Sequence, residues 1–131
     1  MCADMLHYGH VRCLQTAKKI ASQTGLLLVV GLHSDETIRS YKRSPILTQE
    51  ERAEVVKAIR YVDKVLLDAP LSITQAYMED NNISLVAHAH EEGDTSYDAD
   101  HAYPISTGTF VRLNYTQGIS STDIIARCCS N

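Results

Sequence analysis

Apolar and polar positions along the chain follow two different periods. From Val11 to Ser22 the apolar or small residues Val11, Leu14, Ala17, Ile20 and Ala21 recur at helical spacing and give one face to a core, and Gly25 ends that helix. The run from Leu26 to Gly31 is short, continuous and apolar, the pattern of a parallel strand covered on both faces. Ser34 and Asp35 then cap a short helix through Tyr41. Thr48 with Glu51 three positions on forms a capping box, which opens a helix running to about Arg60. Lys64 to Leu67 reads as a second strand, Ser72 to Asp80 as a helix, Ile83 to Ala87 as a third strand and Thr109 to Leu113 as a fourth. A last helix starts at Ser120 or Ser121 and runs through Arg127. The segment from Glu91 to Gly108 is polar, acidic and rich in turn formers, and is expected to be a loop with one short helix at most.

Strands alternating with helices imply right-handed crossovers. The expected class is α/β, a Rossmann-like parallel sheet with helices on both faces. In that architecture ligands bind at loops beyond the carboxyl ends of the strands.

Composition narrows the function. A chain of 131 residues is expected to form a single domain. Its 12 basic and 16 acidic residues, net charge -4, are mixed along the chain and create no field that gathers nucleic acid or an anionic membrane. Any phosphate must therefore be held by a local site. No stretch is long and apolar enough to span a bilayer, and no basic and apolar leader opens the chain, so a cytoplasmic setting is expected. Cys2, Cys13, Cys128 and Cys129 have neither the arrangement of a disulfide framework nor the spacing of a metal site, and are read as free thiols.

Two segments carry candidate chemistry. His7-Tyr8-Gly9-His10 stands immediately before the first helix, and its imidazoles fall on the same side, next to the free amides of the first turn. Gly9 lets a phosphate approach that backbone. The group can act as an oxyanion clamp for phosphoryl transfer, although by spacing alone a surface or packing pair of histidines is the commoner arrangement. The second segment runs from Tyr115 to Ile124. Gly118 permits a tight turn, and Ser120, Ser121 and Thr122 crowd a helix start, where hydroxyls and the helix dipole favour a polyphosphate. An ordinary helix cap is the alternative for this segment taken alone.

The two segments resemble known motifs. Asp4-Met-Leu-His-Tyr-Gly-His10 resembles the G-x-F-D-x-L-H-x-G-H motif of the cytidylyltransferases, and Gly118-Ile-Ser-Ser-Thr-Asp-Ile124 resembles their R-T-x-G-I-S-T-T-x-I motif. Between them, Val30-Gly-Leu-His-Ser-Asp35, the segment from Tyr41 to Arg52 and the segment from Ala58 to Val65 are similar to V-G-V-x-x-D, K-x-x-P-x-x-T-x-E-E-R and R-Y-V-D-x-V in the same order. The resemblance spans nearly the whole chain and implies the nucleotidylyltransferase fold. Within the family it is nearest to the choline-phosphate and ethanolamine-phosphate enzymes, then to the glycerol-3-phosphate enzymes.

The resemblance implies roles. His7, His10 and Lys42 would stabilise the transition state. Asp4, Gly9, Arg60, Gly118, Ile119, Ser120, Ser121 and Thr122 would form the nucleotide site, with Arg60 and the three hydroxyl residues on the phosphates of CTP. Mg2+ would accompany CTP, no protein-held metal site is expected, and a homodimer is the family's common state.

Three departures stand out. Met1 occupies the place of the motif's glycine, so the central first strand is absent from this chain. Either residues before Met1 or another segment is expected to fill its slot. Ala3 replaces the motif aromatic, and Tyr115 replaces the arginine ahead of Gly118; strand alternation points Arg112 to the opposite face. Finally, Val86-Ala-His-Ala-His-Glu-Glu92 stands where aminoalcohol enzymes carry V-A-H-D-D. That places His88 and His90 at the acceptor and admits a small anionic acceptor such as a phosphonate beside the phosphorylated alcohols. The expected function is transfer of CMP from CTP to such an acceptor with release of pyrophosphate. The rival is a catalytically degenerate nucleotide-binding or regulatory module.

Overall fold

The computed structural model describes residues 1–130. Helix α1, Tyr8–Gln23, begins three residues before the apolar periodicity, because His7 caps it, and it ends ahead of Gly25, whose φ is +71°. Strand β1, Val29–Gly31, is shorter than its apolar run: Leu27 is 73% exposed and Leu26 to Leu28 lie outside the ladder. Helix α2, Asp35–Tyr41, is capped by Ser34, whose hydroxyl accepts from Thr37 N at 3.1 Å. Helix α3, Gln49–Lys57, carries the Thr48–Glu51 capping box and stops short of Arg60. Strand β2, Lys64–Leu66, pairs with β1 in parallel, Val30 opposite Val65.

Helix α4, Gln75–Asp80, starts later than Ser72, since Thr74 is its cap. Strand β3 covers Val86–His90 and pairs in parallel with β4, Phe110–Asn114. The polar segment between them holds a 3-10 turn at Ala99–His101 and helix α5, Ala102–Ser106. Helix α6, Ser121–Ser130, closes the described residues.

Contacts group the chain into two compact units: Met1–Ala69 with the segment from Thr116 onward, and Pro70–Tyr115. In the first unit, Ala3, Leu14, Val30, Leu32, Ala53 and Val56 form the buried core, with Leu6, Leu28, Ile59, Val62 and Val65 packed around them. The second unit is built on the β3–β4 pair, with Met78, Leu113 and Pro104 buried. The strands are parallel and alternate with helices, so the class is α/β. The strand expected ahead of the histidine motif is not among the described residues. Met1 makes a parallel ladder contact of its own, its ammonium donating to Gly31 O while His33 N donates to Met1 O at 3.0 Å.

Candidate active site

The histidine segment builds its own geometry. His7 is the N-cap of α1, and its Nδ1 accepts from Gly9 N at 3.1 Å. His10 reciprocates, its Nδ1 accepting from His7 N at 3.1 Å. The rings lie 3.9 Å apart, centroid to centroid. A neutral imidazole has one donor and one acceptor nitrogen. With both Nδ1 atoms accepting, the hydrogen-bond network assigns both protons to Nε2. Burial pushes the pKa of His10 down to about 4, helped by His7 and by the positive charge of Lys42, and burial also lowers that of His7. At neutral pH His10 is therefore a neutral N–H donor, and Lys42, exposed at the end of α2, supplies full charge near it.

Asp4 joins this helix start to two others. It is 1% exposed; Oδ2 accepts from Ile46 N at 2.8 Å and from Arg43 Nη1 at 3.1 Å, and Oδ1 accepts from Leu47 N at 3.0 Å. Burial alone would raise its pKa, but these donors outweigh burial and hold it below the usual carboxylate range. Its main-chain carbonyl accepts from Ser121 Oγ at 2.6 Å. The turn is strained, since Ala3 and Met5 on either side have φ of +54° and +50°, and the bonds to Asp4 hold it.

Gly9 makes the second junction. A Cβ on Gly9 would sit 2.9 Å from His7 Cε1 and 3.1 Å from Ile119 Cγ2. The starts of α1 and α6 therefore meet, and only glycine fits between the capping imidazole and Ile119. Gly118, with φ +82°, turns the chain into this contact. Ser120 Oγ takes the amide of Asp123 at 3.1 Å, an N-cap for α6, and Thr122 lies exposed beside it.

The structure thus brings His7, Gly9, His10, Lys42, Asp4, Ile119, Ser120 and Ser121 together within one unit. Within that group Asp4 and Ile119 face protein: one fastens the 43–47 loop, and the other is 6% exposed against Gly9. Arg60 follows α3 on the amino-terminal side of β2 and lies over the Tyr61 ring, 5.0 Å from its centroid, donating to Tyr61 Oη at 2.9 Å. Arg52, which closes a motif segment that gives it no role, is fully buried and donates to Cys2 O, His33 O, Leu47 O and Asp35 Oδ1. The capping box located its helix, but the pattern of charges carries no sign that this arginine points inward.

In the second unit β3 runs through His90, so His90 is a strand residue, 5% exposed, rather than part of a loop. His88 and His90 share a strand face, with their Nδ1 atoms 3.1 Å apart. Burial, then His101 and His90, push the pKa of His88 down to about 4. The Tyr97 ring lies 4.3 Å from the His88 ring, tilted by 40°, and a small cavity is lined by His90, Glu91, Asp94, Tyr97 and Tyr115. Arg112 Nη1 reaches His90 O at 3.2 Å and does not line that cavity.

Both Asp4 oxygens accept from protein donors, and among the described residues no group of three or more His, Cys, Asp and Glu is placed to hold a metal ion. No described helix is long and apolar enough to cross a membrane.

Comparison with known proteins identifies the family. A family profile described as Cytidylyltransferase-like matches residues 2–127. The chain is 36% identical over 132 residues to an ethanolamine-phosphate cytidylyltransferase of Arabidopsis thaliana, covering 96% of this chain and 30% of that protein. It is 37% identical over 127 residues to choline-phosphate cytidylyltransferase 2 of the same plant, covering 95% of this chain and 41% of the relative. The chain thus spans well under half of these curated relatives. A solved structure, the lipopolysaccharide core biosynthesis protein from Thermoplasma volcanium GSS1, matches with a TM-score of 0.70 at 19% identity, covering 89% of this chain and 93% of that one, which establishes likeness of fold. On the profile match and these identities, the chain belongs to the cytidylyltransferase-like family.

Proposed function

We propose that this chain is the catalytic domain of a CTP-dependent cytidylyltransferase acting on a small phosphorylated alcohol. The observation that carries the reading is the meeting of two helix starts, one with paired imidazoles and one with clustered hydroxyls, fastened by the Ser121–Asp4 bond and the Gly9–Ile119 contact. Both can point donors at an anion.

In this reading an acceptor phosphate oxygen attacks the α-phosphorus of CTP in line. The new P–O bond forms as the bond to the β-phosphate breaks, and pyrophosphate leaves with that electron pair. No protein nucleophile and no proton transfer is needed. The Nε2–H groups of His7 and His10 and the ammonium of Lys42 stabilise the redistributed charge. Ser120, Ser121, Thr122 and the first-turn amides of α6 hold the triphosphate. Mg2+ enters with CTP as part of the substrate. The role of Arg60 in CTP binding rests on the motif alone.

The relatives' names favour phosphoethanolamine or phosphocholine as acceptor. The cavity lined in part by His90 is compatible with this, since it combines two tyrosines with Glu91 and Asp94 and no Lys or Arg, which suits a cationic headgroup better than a phosphonate. His88 and His90 keep their assignment to the acceptor side. A cytoplasmic homodimer belongs to the same proposal, tested by sedimentation and cell fractionation. The deciding assay is pyrophosphate release from CTP and Mg2+ with phosphoethanolamine, phosphocholine, glycerol 3-phosphate and a small phosphonate. Turnover with either aminoalcohol phosphate supports the reading, and CTP binding without turnover on any acceptor leaves a nucleotide-binding module instead. ATP in place of CTP tests the base preference.

A further inference from the structure

We propose that Arg43 is an additional ligand for the nucleotide's polyphosphate, resting on Asp4 in this structure and exchanging that carboxylate for a phosphate oxygen. The inference rests on the CTP reading above. Arg43 follows Lys42 directly and lies against Asp4, whose carbonyl holds Ser121, so its guanidinium sits at the junction of the two helix starts.

Its present arrangement suits Arg43 poorly. Nη1 donates to Asp4 Oδ2 and to Ser44 O, both at 3.1 Å, while Nε is buried with no partner, alone in this among buried side-chain polar atoms of the described residues. Buried donors are almost always paired, so an orphan asks for an explanation. Nε–H and Nη2–H lie on one edge of a guanidinium and together match two oxygens of a phosphate. In this structure neither has a partner among the described residues.

Asp4 does not depend on Arg43. The amides of Ile46 and Leu47 still serve its two oxygens when the arginine leaves. The exchange therefore exposes no bare buried carboxylate and leaves the 43–47 loop fastened. The Arg43 side chain is 32% exposed, so the head has a way out to solvent. Around it the imidazoles are neutral donors, which leaves Lys42 and Arg43 as the adjacent full positive charges for a polyanion.

The test compares Arg43→Gln and Arg43→Lys with the wild-type chain by calorimetric titration of MgCTP and of cytidine, alongside thermal melting. The expected result is that Arg43→Gln weakens MgCTP binding about tenfold or more, as for a lost charge-assisted pair, leaves cytidine affinity unchanged and lowers Tm by less than about 5 °C, because the amides of Ile46 and Leu47 still serve Asp4. Arg43→Lys should recover part of the loss of affinity. MgCTP affinity of Arg43→Gln within twofold of wild type overturns the proposal while leaving the CTP reading intact. So does a fall in Tm of about 10 °C or more, or loss of folding, in Arg43→Gln, which would assign Arg43 to holding the fold. A wild-type chain that does not bind MgCTP overturns both.

Discussion

Replacing Arg52 by methionine removes a guanidinium that is 0% exposed and donates to four oxygens: Cys2 O at 2.7 Å, His33 O at 3.0 Å, Leu47 O at 3.2 Å and Asp35 Oδ1 at 2.6 Å. Methionine fills a similar volume, so the loss is of donors rather than of packing. Breaking one side of a buried ion pair costs about 3–5 kcal/mol. Asp35 is 28% exposed and recovers part of that by hydration, but the three carbonyls lose their shared partner, and each poorly paired buried acceptor costs about 1–3 kcal/mol. These costs overlap, since the ion pair and the three carbonyls share one guanidinium, and a net loss of about 3–5 kcal/mol is expected. For a chain of this length each kcal/mol lowers Tm by roughly 4 °C, so the expected fall is about 10–20 °C. Arg52→Lys keeps the charge but cannot reach all four oxygens and should fall between. Thermal melting followed by circular dichroism, with urea titration as a second measure, reads the effect. A Tm for Arg52→Met within about 3 °C of wild type would mean that this buried network carries little stability, and the reasoning would be wrong.

Three further outcomes follow from the site. His10→Ala should reduce turnover by roughly a hundredfold or more in the pyrophosphate assay, the scale for one positioned donor, and near-full activity would refute its role. Gly9→Ala places a methyl 2.9 Å from His7 Cε1 and 3.1 Å from Ile119 Cγ2, so it should cost about 1–3 kcal/mol and weaken MgCTP binding, measured by melting and titration. The pKa of both His10 and His88 is lowered to about 4 in the folded chain against an ordinary 6.5, so between those values the unfolded chain binds more protons. The contribution of these two histidines to stability is therefore full above about pH 6.5, is lost as pH drops toward about 4 and is constant below that; Tm of wild type and of His88→Gln across this range checks it, with a smaller slope in the variant.

Some of this was legible in the sequence and some was not. Helix starts were, because caps are local: Thr48 with Glu51, Ser34 and the hydroxyls at Ser120 act within one turn. Strand ends were less so. The apolar run from Leu26 promised six strand residues where three pair, and β3 was expected to stop before the histidines it carries. Ladder length depends on the partner strand, which no local pattern records. The site divided the same way. Asp4, Arg43 and Arg52 also stand in the quoted motif segments, but their inward turn depends on contacts between residues tens of positions apart.

The Ser121–Asp4 bond joins residues 117 positions apart, while α6 buries none of its own side chains. Closing so long a loop for so few contacts puts this junction at the end of folding and at the low-stability end of the native ensemble. Hydrogen exchange should thus find α6 opening ahead of α1. A triphosphate bound across both helix starts would act as the clasp that keeps the last helix shut.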